Sequence, residues 1–211
     1  MNSKPNVAII DYGAGNQESV KKAFEYIGAK AHVIKRPESM KRFSHIVLPG
    51  VGSFYRSINY MRELDWDECI IDNAKSGKPI LGICLGMQLL LSKGTEDGIS
   101  FGLDIVPGEV KRFSFDPSLE RLTIPHVGFD TVYLKNNSLL FKNLPNELDF
   151  YFTHSYIANC VDSYVSGETI HGERFVSAIE KENVVGTQFH PEKSQSNGLK
   201  VLKNFLDNFD A

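Results

Sequence analysis

The sequence lacks an excess of positive charge, and this absence argues against one broad class of function. Its 211 residues carry 23 lysines and arginines against 26 aspartates and glutamates, for a net charge of −3. Proteins that bind nucleic acid need a surplus of cations to displace the counterions of the phosphate backbone. We therefore expect no nucleic-acid partner, while 42% hydrophobic and 23% charged residues are ordinary values for a globular protein.

Cysteine is also scarce. The three cysteines, Cys69, Cys84 and Cys160, are odd in number, and no two of them form a CxxC pair. This spacing argues against a disulfide framework and against a zinc ribbon, and it fits a reduced, cytoplasmic setting. We expect neither a disulfide nor a metal site.

Long apolar runs are missing as well. The longest nearly apolar segment, Pro79–Leu91, contains Gln88 and falls short of the ~20 residues that span a bilayer. The N-terminus offers only Val7–Ile10 before Asp11, which is too short for the core of a secretion signal. The sequence therefore predicts no membrane segment.

Strand and helix patterns alternate through the first ninety residues. Strands separated by helices predict βαβ units and a parallel sheet. The predicted strands are Val7–Asp11, Ala31–Ile34, Ile46–Leu48 and Pro79–Ile83, and the predicted helices are Ser19–Ile27, Ser53–Lys75 with a break near Asp65, and Leu85–Leu91.

The second half consists mainly of strand-like segments, several of which alternate apolar and polar residues as half-exposed antiparallel strands do. These segments are Glu109–Phe113, Thr131–Leu134, Phe150–Ile157, Tyr164–His171, Phe175–Glu180 and Val184–Phe189, and an amphipathic helix follows over Leu199–Phe209. We predict one α/β domain over residues 1–211, with a mostly parallel twisted sheet, flanking helices and an antiparallel strand extension in the C-terminal half.

The segment Gly82–Gly86, with Cys84 at its centre, carries the strongest chemical signal. It joins an apolar strand to an apolar helix, as the G-x-S-x-G nucleophile elbow does, with a thiol in place of the hydroxyl. The flanking glycines keep Cβ atoms out of the tight turn. The N–H groups at the start of the helix favour a thiolate, and that of Leu85 can donate to an oxyanion. The alternative is an inert cysteine packed at a turn.

A thiolate nucleophile needs a base that can also act as an acid. His190 follows a predicted strand, and in an extended chain its side chain and that of Glu192 point to the same side. The carboxylate can then orient the imidazole and stabilise its charged form. Pro191 favours an extended residue before it. The rival base is His154, for which a hydrogen-bonded sheet position is the better interpretation.

Two glycine-rich turns carry weaker signals. Gly13–Glu18 follows a strand as a dinucleotide fingerprint does, but Glu18 replaces the third glycine and would repel a pyrophosphate. Pro49–Gly52 follows the third strand and is either a simple turn or the source of a backbone N–H for an oxyanion. The residues alone leave these two interpretations of Pro49–Gly52 open.

Together the motifs resemble the class I glutamine amidotransferases, and within that class the glutaminase subunits of imidazole glycerol phosphate synthase. The elbow and the His-Pro-Glu segment are diagnostic of the class, and the resemblance implies a flavodoxin-like sheet. The similarity runs along essentially the whole chain, through Asp11–Asn16, Leu48–Gly52, Gly82–Leu90, Pro125–Gly128, Phe152–Tyr156 and Gln188–Ser194.

The resemblance also implies a role for each matching position. The triad would consist of Cys84, His190 and Glu192. Backbone donors for the oxyanion would come from Gly50, Val51, Gly52 and Leu85. The amino-acid end of glutamine would be held by Gly52, Gln88, Glu96, Ser155 and Tyr156. The surface that faces a partner would include Phe129, Tyr151 and Lys193.

The activity implied by the resemblance is hydrolysis of L-glutamine to glutamate and ammonia through a γ-glutamyl thioester, without a cofactor. The chain would form a heterodimer with a cyclase subunit, a (β/α)₈ barrel. That partner would use the ammonia to make imidazole glycerol phosphate and aminoimidazole carboxamide ribotide in histidine biosynthesis.

Two segments depart from the family pattern. Gly128-Phe129-Asp130 stands where Gly-Trp-Asn is usual, and Gln17 stands where Leu is usual. Because the first lies on the expected partner surface, a sugar amidotransferase of surface-polysaccharide biosynthesis is an alternative partner. Two further alternatives are a cysteine peptidase or small-aldehyde hydrolase on a similar sheet, and a non-catalytic flavodoxin-like binding module with an inert Cys84.

Overall fold

The computed structural model describes residues 4–116, 122–135 and 137–209. The strands of these residues join in one mixed sheet. The helices that flank the sheet are α1 (Gln17–Tyr26), α2 (Phe54–Glu63), α3 (Trp66–Lys75), α4 (Leu85–Leu89) and α5 (Gln195–Asn208).

The parallel part of the sheet comes mainly from the first half of the chain, as the alternation of strands and helices predicts. A strand from near the C-terminus joins it beside the last strand of the first half. The members are β1 (Asn6–Ile10), β2 (Lys30–Ile34), β3 (His45–Gly50), β4 (Ile80–Cys84) and β13 (Val184–Thr187), in the order β2-β1-β3-β4-β13.

The rest of the sheet is mostly antiparallel and confirms the predicted extension. From β13 it continues through β12 (Glu173–Lys181), β10 (Tyr156–Cys160), β7 (Val106–Arg112), β5 (Leu91–Gly94) and β6 (Ser100–Phe101). A branch leaves β12 through β11 (Val165–His171), β8 (His126–Leu134) and β9 (Glu147–His154).

Several predicted boundaries are wrong, because pairing with distant strands overrides the local pattern. The helix predicted over Leu85–Leu91 ends at Leu89, since Leu91 begins β5 and pairs with Val106. The strand predicted over Phe150–Ile157 is two strands, which separate at Ser155 and pair with β8 and β7 respectively. The strand predicted to reach Phe189 ends at Thr187. The short strands β5 and β6 were not predicted.

The predicted break between α2 and α3 is confirmed. Asp65 adopts a left-handed conformation with φ 57°, so the helix cannot continue through it. The chain turns there, and Trp66 at the start of α3 is fully buried. The two short helices therefore cover one face of the sheet in place of one long helix.

Both faces of the parallel sheet are buried. In β1, Val7 and Ile9 point into one apolar cluster, while Ala8 and Ile10 point into the other. This explains the continuous apolar run at residues 7–10, since a parallel strand covered on both faces has no polar side. β4 lies between β3 and β13, and ligands of open α/β sheets bind outside the carboxyl ends of such strands.

The turn from β4 into α4 depends on close backbone contacts that only glycine permits. A Cβ on Gly86 would overlap the carbonyl oxygen of Leu48 in β3. A Cβ on Gly82 would lie 2.7 Å from the backbone nitrogen of Met87. The start of α4 is therefore pressed directly onto the ends of two neighbouring strands.

No helix in the described parts of the chain combines the length and the apolar character needed to cross a membrane.

We expect Gly86→Ala to reduce the free energy of unfolding by about 3 kcal/mol, because a backbone oxygen cannot rotate away from the added methyl group. The matched control is Gly77→Ala, where φ is +87° but a Cβ meets open space. That control should cost about 1 kcal/mol, the penalty of a left-handed non-glycine residue. Urea unfolding followed by the fluorescence of Trp66, the single tryptophan, measures both. Equal losses would contradict the packing argument.

Candidate active site

Cys84 is the last residue of β4 and immediately precedes α4. Its backbone has φ 55° and ψ −111°, an unusual conformation for a residue with a side chain. Such strain persists only where the surrounding structure enforces it, and it is common at functional sites. The turn positions Cys84 at the carboxyl edge of the parallel sheet, as the elbow motif predicts.

His190 lies just beyond β13, the strand next to β4. Its backbone N–H donates to the carbonyl oxygen of Tyr151 over 2.8 Å, and its carbonyl oxygen accepts a hydrogen bond from Ser194 Oγ. Its Nδ1 atom is 2.8 Å from Glu192 Oε1, and the two side chains are only 4% and 2% exposed. The imidazole is therefore held in one orientation by a buried carboxylate.

The predicted proximity of His190 and Glu192 is found, but its predicted cause is wrong. His190 is extended, with φ −97° and ψ 97°, whereas Pro191–Lys193 form one turn of 3-10 helix. The chain therefore does not stay extended through Glu192. A tight turn, and not strand alternation, brings the carboxylate back to the ring.

One influence lowers the pKa of His190 and two raise it. Burial lowers its pKa, but the neighbouring Cys84 sulfur and the Glu192 carboxylate outweigh burial and raise the pKa to about 10. The Nε2 atom is buried and makes no hydrogen bond of regular geometry with the described residues. Cys84 lies close enough to the ring to raise the pKa of His190 both through a hydrogen-bond interaction and through its charge, and both favour the protonated imidazole.

A pocket of about 280 Å³ opens beside Cys84. It is large enough for a small amino acid and brings together residues from distant parts of the chain. Its walls are formed by Val51, Gly52, Cys84, Leu85, Gln88, Glu96, Thr153, His154, Ser155 and Tyr156. The pocket therefore includes each residue that the sequence predicts to bind glutamine, and three of the four predicted to supply oxyanion donors.

Gly50 is the predicted oxyanion residue that does not line the pocket. It is the last residue of β3 and pairs with Cys84 in the sheet register. A Cβ on Gly50 would lie 2.6 Å from the hydroxyl of Tyr12 and 2.9 Å from the nitrogen of Gly86. Gly50 therefore lets the strand end lie close to the elbow, while Val51 and Gly52, which has φ 109°, carry the chain past the thiol.

Thr153 and Tyr12, to which the sequence analysis gave no role, also lie at or beneath the site, together with His154. Thr153 and His154 form part of the pocket wall. Tyr12 is buried beneath Gly50, and its burial raises the pKa of the phenol. The signal for Tyr12 was its place two residues after β1, whose carboxyl end lies at the same edge as that of β4.

His154 has the role of a hydrogen-bonded sheet histidine. Its Nδ1 atom donates to the carbonyl oxygen of Tyr156 over 2.9 Å, and its Nε2 atom lies 3.1 Å from His126 Nδ1. Burial lowers the pKa of His154 to about 3. Both ring nitrogens are engaged, so His154 has no free nitrogen for the thiol of Cys84.

One group in the described parts of the chain has side chains of the kind that bind metals. His126, Asp130 and His171 have ligand atoms within 4.8 Å of one another. The rings of His126 and His171 are stacked, with centroids 3.9 Å apart and an angle of 20° between planes. A metal must lie close to the plane of each imidazole, about 2.0–2.1 Å from its nitrogen. Stacked rings do not meet this requirement together.

The three predicted partner-facing residues form a contiguous patch next to the candidate site. Phe129 and Tyr151 are paired in β8 and β9, with ring centroids 5.7 Å apart. The ammonium group of Lys193 lies 5.6 Å from the centre of the Tyr151 ring. Phe129 is 51% exposed although it is aromatic. Exposed aromatic and cationic groups of this kind are typical of interface anchors.

Comparison with known proteins identifies the family of this chain. The model of the family "Glutamine amidotransferase class-I" matches residues 8–209. The chain is 43% identical to imidazole glycerol phosphate synthase subunit HisH 1 of Campylobacter jejuni (strain RM1221), over 95% of this chain and 98% of the relative. It is 43% identical to subunit HisH of Chlorobaculum tepidum, over 95% and 99%. A solved structure of PurLQS from Thermotoga maritima shares the fold, with a TM-score of 0.76 at 20% identity over 98% and 99% of the two chains.

We expect Glu192→Gln to lower the pKa of His190, because the substitution removes one of the negative groups that raise it. In the unmodified chain the ring should remain protonated from pH 6 to 8.5 and give constant imidazole NMR shifts. In the variant the shifts should titrate within that range. Glu182→Gln, in the turn before β13 at the opposite end of the strand, is the control and should leave His190 unchanged. Identical titration in both variants would contradict the assigned pairing.

Proposed function

The chain belongs to the glutamine amidotransferase class-I family, and we propose that Cys84, His190 and Glu192 form the triad with which it hydrolyses glutamine. One observation carries the proposal. Cys84, with its strained backbone, and the buried pair of His190 and Glu192 meet beside a pocket of amino-acid size. A cysteine that only packs in the core would not need to lie beside a histidine that a buried carboxylate orients.

The proposed reaction begins when the Cys84 thiolate attacks the side-chain amide carbon of glutamine. Backbone N–H groups of Leu85 and of the Val51–Gly52 segment hold the oxyanion, at roughly 3–4 kcal/mol for a well-placed donor. The imidazolium of His190 protonates the leaving nitrogen, and ammonia departs from a γ-glutamyl thioester. His190 then takes a proton from water, which cleaves the thioester and regenerates the thiolate.

Other residues that line the pocket supply the proposed contacts to the amino-acid group of glutamine. One oxygen of Glu96 accepts a hydrogen bond from the backbone of Phe54 over 2.7 Å, which fixes the carboxylate near the pocket. A carboxylate there suits the positively charged α-amino group. Ser155 and Tyr156 lie where β9 passes into β10 and line the same pocket, as Gln88 does.

Relatives with 41 to 44% identity are subunits of imidazole glycerol phosphate synthase. On this similarity the chain is the glutaminase subunit of such an enzyme, which acts in histidine biosynthesis. We propose that its partner is a cyclase with a (β/α)₈ barrel, and that the patch of Phe129, Tyr151 and Lys193 docks it. The contact between this patch and His190 supports that position, since ammonia must pass from the thiol to the partner. We place the reaction in the cytoplasm, in keeping with the free thiols.

We expect Cys84→Ser to lower glutamine turnover by ~10⁴ or more, because an alcohol in this environment is a far weaker nucleophile than a thiolate. The fold should be unchanged, since the two side chains have nearly the same shape. Cys160→Ser is the matched control and should retain full turnover, because this cysteine lies at the end of β10 away from the pocket. Glutamate release measures both. More than a tenth of normal turnover in Cys84→Ser would exclude the nucleophile assignment.

We expect the isolated subunit to hydrolyse glutamine slowly and to be activated by about 10²–10³ when the partner and its ligand bind. That factor is the effect of one oxyanion donor, and the chain at Val51–Gly52 can supply such a donor by turning one N–H toward the thiol. Lys193→Ala should weaken complex formation or activation. Lys75→Ala, on an exposed residue at the end of α3, is the control.

Glutamate release with and without the partner tests this prediction. Equal rates under the two conditions would contradict coupling and favour a stand-alone amidase. Recovery of a sugar amidotransferase in place of a barrel cyclase after affinity purification of the tagged chain would contradict the proposed partner.

A further inference from the structure

Gln188 is a polar residue at a position where the fold gives no general reason for one. Its side chain is completely buried, and burial of an amide is costly unless its hydrogen bonds are satisfied. It lies two residues before His190, and the ring of the intervening Phe189 stacks on Phe150 at 4.0 Å. Gln188 and Phe189 form a bend beyond the end of β13 at Thr187, so the hydrogen bonds of the Gln188 side chain, and not strand alternation, set its direction.

The orientation of the Gln188 amide follows from a chain of hydrogen bonds that ends at a backbone carbonyl. Gln88 is 2.9 Å from the carbonyl oxygen of Tyr156, which can only accept, so the group that faces it is the Gln88 NH₂. The same NH₂ lies 2.9 Å from Gln188 and donates its second proton to Gln188 Oε1. The NH₂ of Gln188 must then be directed away from Gln88.

That NH₂ group is directed at the sulfur of Cys84, over 3.7 Å. We propose that the side-chain amide of Gln188 is a catalytic group that donates a hydrogen bond to Cys84 Sγ and stabilises the thiolate. The inference deepens the proposed function, because it rests on Cys84 being the nucleophile. Gln88 is then a positioning residue as well as a wall of the glutamine pocket, since it holds the Gln188 amide in the productive orientation.

The surroundings of the sulfur explain why such a donor is needed. The carbonyl oxygen of Thr153 lies 3.9 Å from Cys84 Sγ, where it would accept from a neutral thiol and repel a thiolate. Gln188 acts in the opposite direction, since an N–H donor interacts more strongly with an anion than with a neutral thiol. Together with His190, it shifts the balance toward the charged form.

The donor acts at two points in the reaction. When the sulfur attacks the amide carbon, a C–S bond forms and the negative charge moves to the oxyanion, so the hydrogen bond to sulfur weakens. When water cleaves the thioester, the C–S bond breaks and its electron pair returns to sulfur. Gln188 then stabilises the leaving thiolate, so release of glutamate should benefit from the same contact.

A purely structural role for Gln188, as a brace for Gln88, makes a different prediction, and two substitutions separate the roles. Gln188→Glu keeps the size and an oxygen that accepts from Gln88, but it removes the N–H donor. Gln188→Met keeps the approximate size without donor or charge. If Gln188 only braces Gln88, the neutral variant Gln188→Met should leave the reactivity of the Cys84 thiol unchanged and affect only the binding of glutamine.

The experiment is alkylation of the isolated chain by iodoacetamide from pH 5 to pH 10, with the modification of each cysteine quantified by mass spectrometry. Cys69 and Cys160 are internal references, and their rates should be the same in all variants. For Cys84, both substitutions should move the midpoint of the pH dependence upward by about one unit, so alkylation below the midpoint slows about tenfold. In glutamine turnover by Gln188→Glu, kcat should fall while KM stays within about twofold, because this variant keeps the oxygen that accepts from Gln88 and the lost N–H contacts the sulfur and not the substrate.

The outcomes are distinct from those that test the nucleophile itself. An unchanged Cys84 profile in both variants, or a shift in Gln188→Glu alone, would overturn the inference, since the latter is an effect of added charge. If Gln188→Met does not fold, a second neutral variant, Gln188→Leu, takes its place. An unchanged Cys84 profile in Gln188→Glu then overturns the inference, and the same upward shift in Gln188→Glu and Gln188→Leu supports it. A wrong assignment of the triad would show in a different experiment, because Cys84→Ser would then retain its glutamine turnover.

Discussion

The close approach of α4 to the ends of β3 and β4 is the constraint on which the rest of the site depends. The Gly86 backbone lies against the Leu48 carbonyl oxygen, and no side chain fits between them. The chain can make this contact only if it turns within one residue, and that residue is Cys84, with its positive φ. The strain holds the sulfur at the carboxyl edge of the sheet, where neighbouring strand ends can reach it.

The antiparallel half of the chain completes this edge. β13 lies beside β4 and delivers Gln188 and His190, while the bend between β9 and β10 delivers the pocket wall. The backbone of Tyr151 bonds to His190, and its ring belongs to the patch with Phe129 and Lys193. The proposed base and the proposed docking surface are therefore adjacent, and one residue, Tyr151, belongs to both.

Local patterns in the sequence were sufficient for the parts of the protein that short segments control. The alternation of strands and helices predicted the parallel sheet, and Asp65 was recognised as a break between helices. Gly82–Gly86 predicted a tight turn with a thiol at its apex, because glycines are needed where neighbouring backbone leaves no room for a Cβ atom. The His-Pro-Glu segment predicted a pair that lies within three residues, although a 3-10 turn and not strand alternation creates it.

Only the tertiary structure decided features that depend on residues far apart in the chain. Leu91 leaves the helical pattern because Val106 pairs with it, and Ser155 divides one apolar run because its two sides pair with different strands. The direction of the Gln188 amide depends on Gln88, one hundred residues away, and on a carbonyl of β10. A buried polar group takes its orientation from whichever partners surround it, since each unmade hydrogen bond is costly. Sequence order does not contain that information, so the contact between Gln188 and the Cys84 sulfur appears only in the folded chain.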